Sequence, residues 1–233
     1  MKYTLEIQDA TPFLDAAKLA LFVATLPPAR ASRILAPAKG KDRALRAAAE
    51  HALIRAARRL HVPYAAMEIT YTPMGKPYVT NMPRVAVNFS HSGLIGVTLL
   101  AVSDEGEDPL TVGVDVEECN PRDSEERLVE RYFSPEEQKV YREANDKTAA
   151  FFALWTRMEA SAKMTGVGLG QWLVGKPQLP EAFAHTWRTT DTRGAAYLVS
   201  CVANVNIFPT QQVFDNISLA NLPAICYNQY TEN

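Results

Sequence analysis

Three short stretches of this 233-residue chain carry side chains able to do chemistry. The first is Val112-Gly113-Val114-Asp115-Val116-Glu117. Residues two apart on a strand point to one face, so Asp115 and Glu117 project together. Paired carboxylates repel; they are tolerated where water screens them, where one keeps its proton, or where a cation sits between them. An all-oxygen donor set suits a hard ion such as Mg²⁺. The second stretch runs from Phe151 to Lys163. Phe151, Leu154, Trp155, Met158 and Ala162 recur at helical spacing and make one apolar stripe. Glu159 lies at the edge of that stripe, and Lys163, four residues on, shares its flank. Such a pair either faces a cleft or is a routine surface pair. The third stretch, Val87-Asn88-Phe89-Ser90-His91-Ser92-Gly93, puts two serines and a histidine at a strand end. Donors in a short turn there suit an anion such as phosphate, or satisfy their own backbone. A serine–histidine hydrolase is disfavoured, because adjacent residues rarely reach each other as nucleophile and base and no orienting carboxylate is evident. Upstream lie Arg30 and Arg33 at i,i+3, Arg46 among helical alanines, and Lys76 in Gly75-Lys76-Pro77. Each of these bases fits a solvated surface as well as a site. Gly166-Val167-Gly168-Leu169-Gly170 follows a helix rather than a strand, so it is no dinucleotide fingerprint and reads as a helix stop and flexible loop.

The elements that must hold these residues are legible in part. A short helix is expected over residues 13–26, ended by Pro27-Pro28, and a long one over residues 39–60, rich in Ala, Leu and Arg. Glu68–Tyr71 alternates as a strand and is followed by the turn Pro73-Met74-Gly75-Lys76-Pro77. Val85–Phe89, Ile95–Val102 and Leu110–Val116 are β-rich. Ser103–Pro109 is polar and acidic, and is expected to be the exposed loop of a hairpin and the midpoint of the chain. Ser134-Pro135-Glu136-Glu137 has the form of a capping box. A helix over residues 148–165 and a late strand at Tyr197–Ala203 follow. The tail after Val205 is rich in Asn and Gln and carries little signal. Strands and helices do not alternate regularly, so the expected class is α+β, in two parts of roughly 110 residues, a size usual for small domains. The expected division is 1–108 and 109–233.

Composition narrows the function classes. A net charge of −2 argues against a dominant attraction to nucleic acid. Cys119, Cys201 and Cys226 have no CxxC spacing, so neither a zinc site nor a disulfide framework is expected, and a reducing compartment fits. The first residues lack the apolar core of a secretion signal, and no apolar run reaches the roughly 18 residues of a membrane helix. The expectation is a cytoplasmic protein without membrane or nucleic-acid partners.

Taken in order, Gly75-Lys76-Pro77, Asn88-Phe89-Ser90-His91-Ser92, Gly113-Val114-Asp115-Val116-Glu117 and Trp155-Thr156-Arg157-Met158-Glu159-Ala160-Ser161-Ala162-Lys163 resemble the 4′-phosphopantetheinyl transferases of the surfactin-synthetase-activating (Sfp) type. The resemblance covers roughly residues 28 to 170, and Gly194–Val202 is similar to the family's final core strand. Met158 departs from the pattern, which usually has Lys beside the catalytic Glu. The resemblance implies two similar α+β halves related by a pseudo-twofold axis, with coenzyme A and Mg²⁺ at their interface. It implies that Asp115, Glu117 and Glu159 hold the metal, and that Glu159 and Lys163 are catalytic. Lys163 would contact the phosphates, with Ser90, His91, Lys76, Arg30, Arg33 and Arg46 around the nucleotide end and His91 facing the 3′-phosphate. The implied reaction moves phosphopantetheine from coenzyme A to a serine of an apo acyl or peptidyl carrier protein and releases 3′,5′-ADP. A monomer is expected. Competing readings are a metal-dependent phosphohydrolase that needs no carrier, and a module that only binds coenzyme A or a carrier.

Overall fold

The computed structural model describes residues 1–107, 109–175 and 182–207. The class is α+β. Strand β1 (Lys2–Asp9) pairs antiparallel with β5 (Ile95–Val102), Leu5 opposite Leu99 and Ile7 opposite Val97. On its other side β5 pairs with β4 (Val85–Ser92), giving the order β1-β5-β4. A second antiparallel sheet has the order β6-β8-β7, from β6 (Val112–Glu118), β7 (Phe183–Thr190) and β8 (Ala196–Ala203). In both sheets the first strand lies beside the last, and the middle strand lies beyond it. Between first and middle strands the first part of the chain inserts α1 (Ala16–Ala24), α2 (Pro28–Leu35), α3 (Gly40–Arg59) and a small hairpin, β2 (Ile69–Tyr71) with β3 (Pro77–Val79). The second part inserts α4 (Glu125–Tyr132), α5 (Pro135–Glu143), α6 (Lys147–Thr165) and α7 (Leu169–Gly175).

The two sheets face each other. Ile95, Val97, Leu99 and Ala101 of β5 share one buried cluster with Val112, Val114 and Val116 of β6 and Val199, Cys201 and Ala203 of β8. Alternate residues therefore define an inner face on each sheet, as the two-residue period of strands requires. The outer faces are covered by the long helices. Thr98 Oγ1 donates to Ala49 O of α3 at 2.7 Å, and Thr156 of α6 meets Ser200 of β8 at 2.7 Å. Two glycines permit this closeness. A Cβ on Gly96 would stand 2.6 Å from Ala49 N, and one on Gly113 would overlap Ala160 O. Phe151 and Phe152 are fully buried under α6, and each such side chain contributes about 1.5–3 kcal/mol.

Several expectations are corrected here. Ser103–Pro109 is not the loop of a hairpin: β5 pairs with β1 and β4, β6 pairs with β8, and the connection crosses from one sheet to the other. The helix expected over 13–26 is broken at Asp15, whose carboxylate caps α1 by accepting from Ala17 N and Lys18 N after a 3₁₀ turn at Thr11–Leu14. The strand expected to end at Phe89 continues through Ser92. Gly166 does stop α6, in left-handed conformation, but Leu169 and Gly170 begin α7 instead of extending a loop. The capping box at Ser134 and Glu137 is present in both directions. Cys226 and the tail from residue 208 lie outside the described residues. Among the described residues, no helix is long and apolar enough to cross a membrane.

Candidate active site

Strands β4 and β6 run side by side where the two parts of the chain meet. Every second residue of β4 reaches across: Asn88 Oδ1 accepts from Val114 N at 3.0 Å, Ser90 Oγ donates to Asp115 Oδ1 at 2.8 Å, and Ser92 Oγ donates to Glu117 Oε2 at 2.9 Å. Ser90, His91 and Ser92 are thus strand residues, and their expected role as donors of a short turn is corrected: alternation sends both serines to the carboxylates and His91 to the other side.

A cavity of about 480 Å³ opens beside this seam. Its lining includes Arg30, Arg33, Arg46, Lys76, Ser90, His91, Asp115, Glu117, Glu159 and Lys163. Asp115, Glu117 and Glu159 each offer an oxygen, and the three lie within 4.8 Å of one another. Asp115 is 2% exposed. Its Oδ1 accepts from Ser90 and from Lys163 Nζ at 2.7 Å, whereas its Oδ2 is buried with no hydrogen-bond partner among the described residues. A buried carboxylate oxygen without a partner is costly, and two further carboxylates beside it raise that cost. The donor set, all carboxylate oxygen, fits a hard divalent cation.

Helix α6 supplies the third carboxylate. Between Ala149 and Met164 it is buried except at Trp155, Glu159 and Lys163, which form one row at i, i+4 and i+8. Trp155 packs with the apolar stripe as its spacing predicts, stacked on Phe151 with 5.7 Å between ring centroids, and it also borders Glu159. Its indole N–H donates to Glu159 Oε1 at 2.7 Å. Glu159 and Lys163 are no surface pair either, since Lys163 reaches over the seam to Ser90 Oγ at 2.8 Å and to Asp115. Burial, and after it the charge of Asp115, push the Glu159 carboxyl up to about 7. Burial and Asp115 also raise Glu117, which Arg122 Nη2 approaches at 3.7 Å.

The raised pKa of Glu159 has a signed consequence for stability. Glu159 binds its proton more tightly in the folded chain than in the unfolded one, so metal-free stability falls as pH rises from about 4.5 to about 7. Above that window the whole penalty is present. A divalent cation that neutralises the cluster relieves it. The gain in melting temperature on adding Mg²⁺ is therefore expected to be larger at pH 8 than at pH 6, as scanning fluorimetry would measure. An equal gain at both values would contradict this electrostatic picture.

The bases divide into two groups. Arg30 is buried and bound to Glu50 through two hydrogen bonds, Nε to Oε1 at 2.9 Å and Nη2 to Oε2 at 2.5 Å, while Tyr64 OH donates to the same carboxylate at 2.6 Å. Lys76 turns its ammonium to two main-chain carbonyls, and burial lowers its pKa to about 8. By contrast, Arg33 and Arg46 make no ion pair among the described residues. Arg33 lies over the Tyr71 ring at 3.5 Å, and Arg46 Nη1 donates to Arg33 O at 2.8 Å. The exposed His91 stands at the cavity rim. Loss of water on its inner side, and then the charge of Lys163, hold it below the usual imidazole range. Two arginines without an ion pair among the described residues and a histidine, near a carboxylate cluster that fits a divalent cation, suit a phosphorylated ligand.

Glu50 and Tyr71 carried no flag in the sequence. Trp155 was read as part of the apolar stripe and of the motif, and its spacing of four residues from Glu159 on the same helix was the available signal for the bond between them.

Residues 111–195 match the family model described as the 4′-phosphopantetheinyl transferase superfamily. The chain is 34% identical over 131 residues to the 4′-phosphopantetheinyl transferase AcpT of Salmonella typhimurium, covering 55% of this chain and 65% of that protein. It is 36% identical over 99 residues to the 4′-phosphopantetheinyl transferase psf-1 of Bacillus pumilus, covering 41% and 38%. It is 33% identical over 113 residues to the L-aminoadipate-semialdehyde dehydrogenase-phosphopantetheinyl transferase of Schizosaccharomyces pombe, covering 44% of each. The chain thus spans between about two fifths and two thirds of the length of these curated relatives. The matched stretch contains Asp115, Glu117, Glu159 and Lys163, and across it this chain is similar to the 4′-phosphopantetheinyl transferase superfamily.

Proposed function

We propose that this protein is a 4′-phosphopantetheinyl transferase of the Sfp type, moving the phosphopantetheine of coenzyme A to a serine of an apo acyl or peptidyl carrier protein. The observation that carries this reading is the convergence of three carboxylates and Lys163 in one cavity with Arg33, Arg46 and His91. The Sfp assignment rests on the two sheets of like strand order in a single chain, both of which supply residues to that cavity. In this reading residues 1–108 contact the nucleotide end, and residues 109–233 carry the metal ligands and the catalytic helix.

Asp115, Glu117 and Glu159 would hold Mg²⁺, which when bound would neutralise charge on the pyrophosphate. The remaining chemistry belongs to the chain's own side chains. Glu159, on a helix anchored in the core, would take the proton of the carrier serine. The serine oxygen forms a bond to the phosphorus esterified to pantetheine, the bond from that phosphorus to the bridging oxygen breaks, and 3′,5′-ADP leaves with the electron pair. Lys163 stabilises negative charge on the phosphate oxygens, held in place by Ser90 and Asp115. Release of 3′,5′-ADP only when apo carrier is present tests this reading. Release without carrier would make the protein a phosphohydrolase that uses the same side chains.

His91→Ala should weaken coenzyme A about tenfold or more and leave 3′-dephospho-coenzyme A nearly unaffected, since a hydrogen bond to a charged group is worth about 1.5–3 kcal/mol. Titration calorimetry with both ligands measures it. Equal weakening would remove His91 from the 3′-phosphate.

A further inference from the structure

The hairpin β2–β3 belongs to neither sheet, yet Tyr71, Met74, Gly75, Lys76 and Pro77 form part of the cavity wall. Its turn is closed on itself: Gly75 N donates to Thr72 O at 2.8 Å, and Thr72 N donates to Lys76 O at 2.9 Å. The tip then crosses to the other part of the chain. Lys76 Nζ donates to Val112 O at the start of β6, at 3.1 Å, and to Lys163 O in the last turn of α6, at 2.9 Å. Carbonyls at a helix C-terminus lack intrahelical partners and carry partial negative charge, so an ammonium there is favourably placed. Lys76 makes no ion pair with a carboxylate among the described residues.

The glycines after α6 fit the same contact. A Cβ on Gly166 would lie 2.9 Å from Lys76 Cδ, and one on Gly168 would lie 2.6 Å from Met74 Cε. Both glycines have positive φ, 75° and 83°, where a side chain is strained in any case. The segment 166–168 thus leaves room for two side chains of the hairpin tip.

We propose that Lys76 is a positioning residue that latches the β2–β3 hairpin to β6 and α6, fixing one wall of the cavity against the helix that carries Glu159 and Lys163. This is a different role from the place around the nucleotide end of coenzyme A that the resemblance implies. The latch keeps the hairpin closed whether or not ligand is present, and holds the main chain of Lys163 at a set distance from the hairpin.

The test begins with hydrogen exchange of the ligand-free protein, which does not depend on the proposed reaction. In Lys76→Met, amides of residues 72–79 should exchange at least about tenfold faster, since loss of a charged hydrogen bond costs about 1.5–3 kcal/mol. Amides of α3 and β5 should be unchanged. Met74→Ala removes only the second contact, at a half-exposed side chain that cannot unseat the core, and should speed exchange of the same tip a few-fold. Unchanged exchange of residues 72–79 in the folded Lys76→Met protein overturns the latch. If that variant does not fold, unchanged exchange of residues 72–79 in Lys76→Gln, which also removes the ammonium, does so. A second readout rests on the proposed function: the Lys76→Met protein should raise KM for coenzyme A and for 3′-dephospho-coenzyme A by one common factor. A selective effect on coenzyme A would make Lys76 a 3′-phosphate contact and overturn the latch.

Discussion

Glu159→Gln is expected to lower single-turnover transfer by about 10²–10⁴-fold, the usual contribution of a general base, while coenzyme A affinity falls much less. The substitution keeps the size of the side chain and keeps an oxygen to accept from Trp155 Nε1. It removes a carboxylate that lines the cavity beside Lys163 and Asp115, where the proposed reaction takes the serine proton. It also removes negative charge from the cluster, so the folded metal-free variant should be at least as stable as the parent above pH 7. The measurement is rapid-quench transfer with saturating coenzyme A, apo carrier and Mg²⁺. If excess Mg²⁺ restored the full rate, Glu159 would be a ligand only. If the rate were unchanged at every Mg²⁺ concentration, α6 would carry no catalytic carboxylate.

The second large effect is expected at Asp115. Asp115→Asn should abolish measurable transfer at moderate Mg²⁺ and also abolish stabilisation by Mg²⁺. A ligand at a hundred times its dissociation constant stabilises by about 2.7 kcal/mol, which for a chain of this size raises the melting temperature by about 5–10 °C. The parent should show that shift and the variant should not. Asp115 is decisive because its Oδ1 is engaged by Ser90 and Lys163, while its buried Oδ2 has no hydrogen-bond partner among the described residues. A folded Asp115→Asn protein that is fully active and fully stabilised by Mg²⁺ would sink the metal assignment.

How far the sequence could be read depended on whether the deciding interactions were local. Helices α3 and α6 were legible because their alanines, leucines and stops act over single turns. The α5 cap was legible because a capping box spans only three residues. Asp115 and Glu117 were legible as a pair because a strand has a fixed period. Strand β1 was missed although Tyr3, Leu5 and Ile7 alternate, because the intervening Thr4 and Glu6 are themselves buried. Glu6 is neutralised by Arg55 and Arg59, some fifty residues away on α3. Such distant pairing leaves no mark on the local pattern. The same reason hid Glu50, which reads as an ordinary helical acid until Arg30 and Tyr64 are placed around it. Lys76 showed charge and a motif, but not that its ammonium faces backbone carbonyls of the opposite part of the chain. The hairpin expected around Ser103–Pro109 failed because strand partners are chosen by the sheets as wholes and not by closeness in sequence.

Whether this protein transfers phosphopantetheine is decided by intact-mass spectrometry of a panel of apo carrier proteins incubated with it, Mg²⁺ and coenzyme A. At least one carrier should gain the mass of a single phosphopantetheine at its acceptor serine, and Glu159→Gln and Asp115→Asn should suppress the gain. No mass gain on any carrier, with the parent protein folded and stabilised by Mg²⁺, would contradict the proposed transfer.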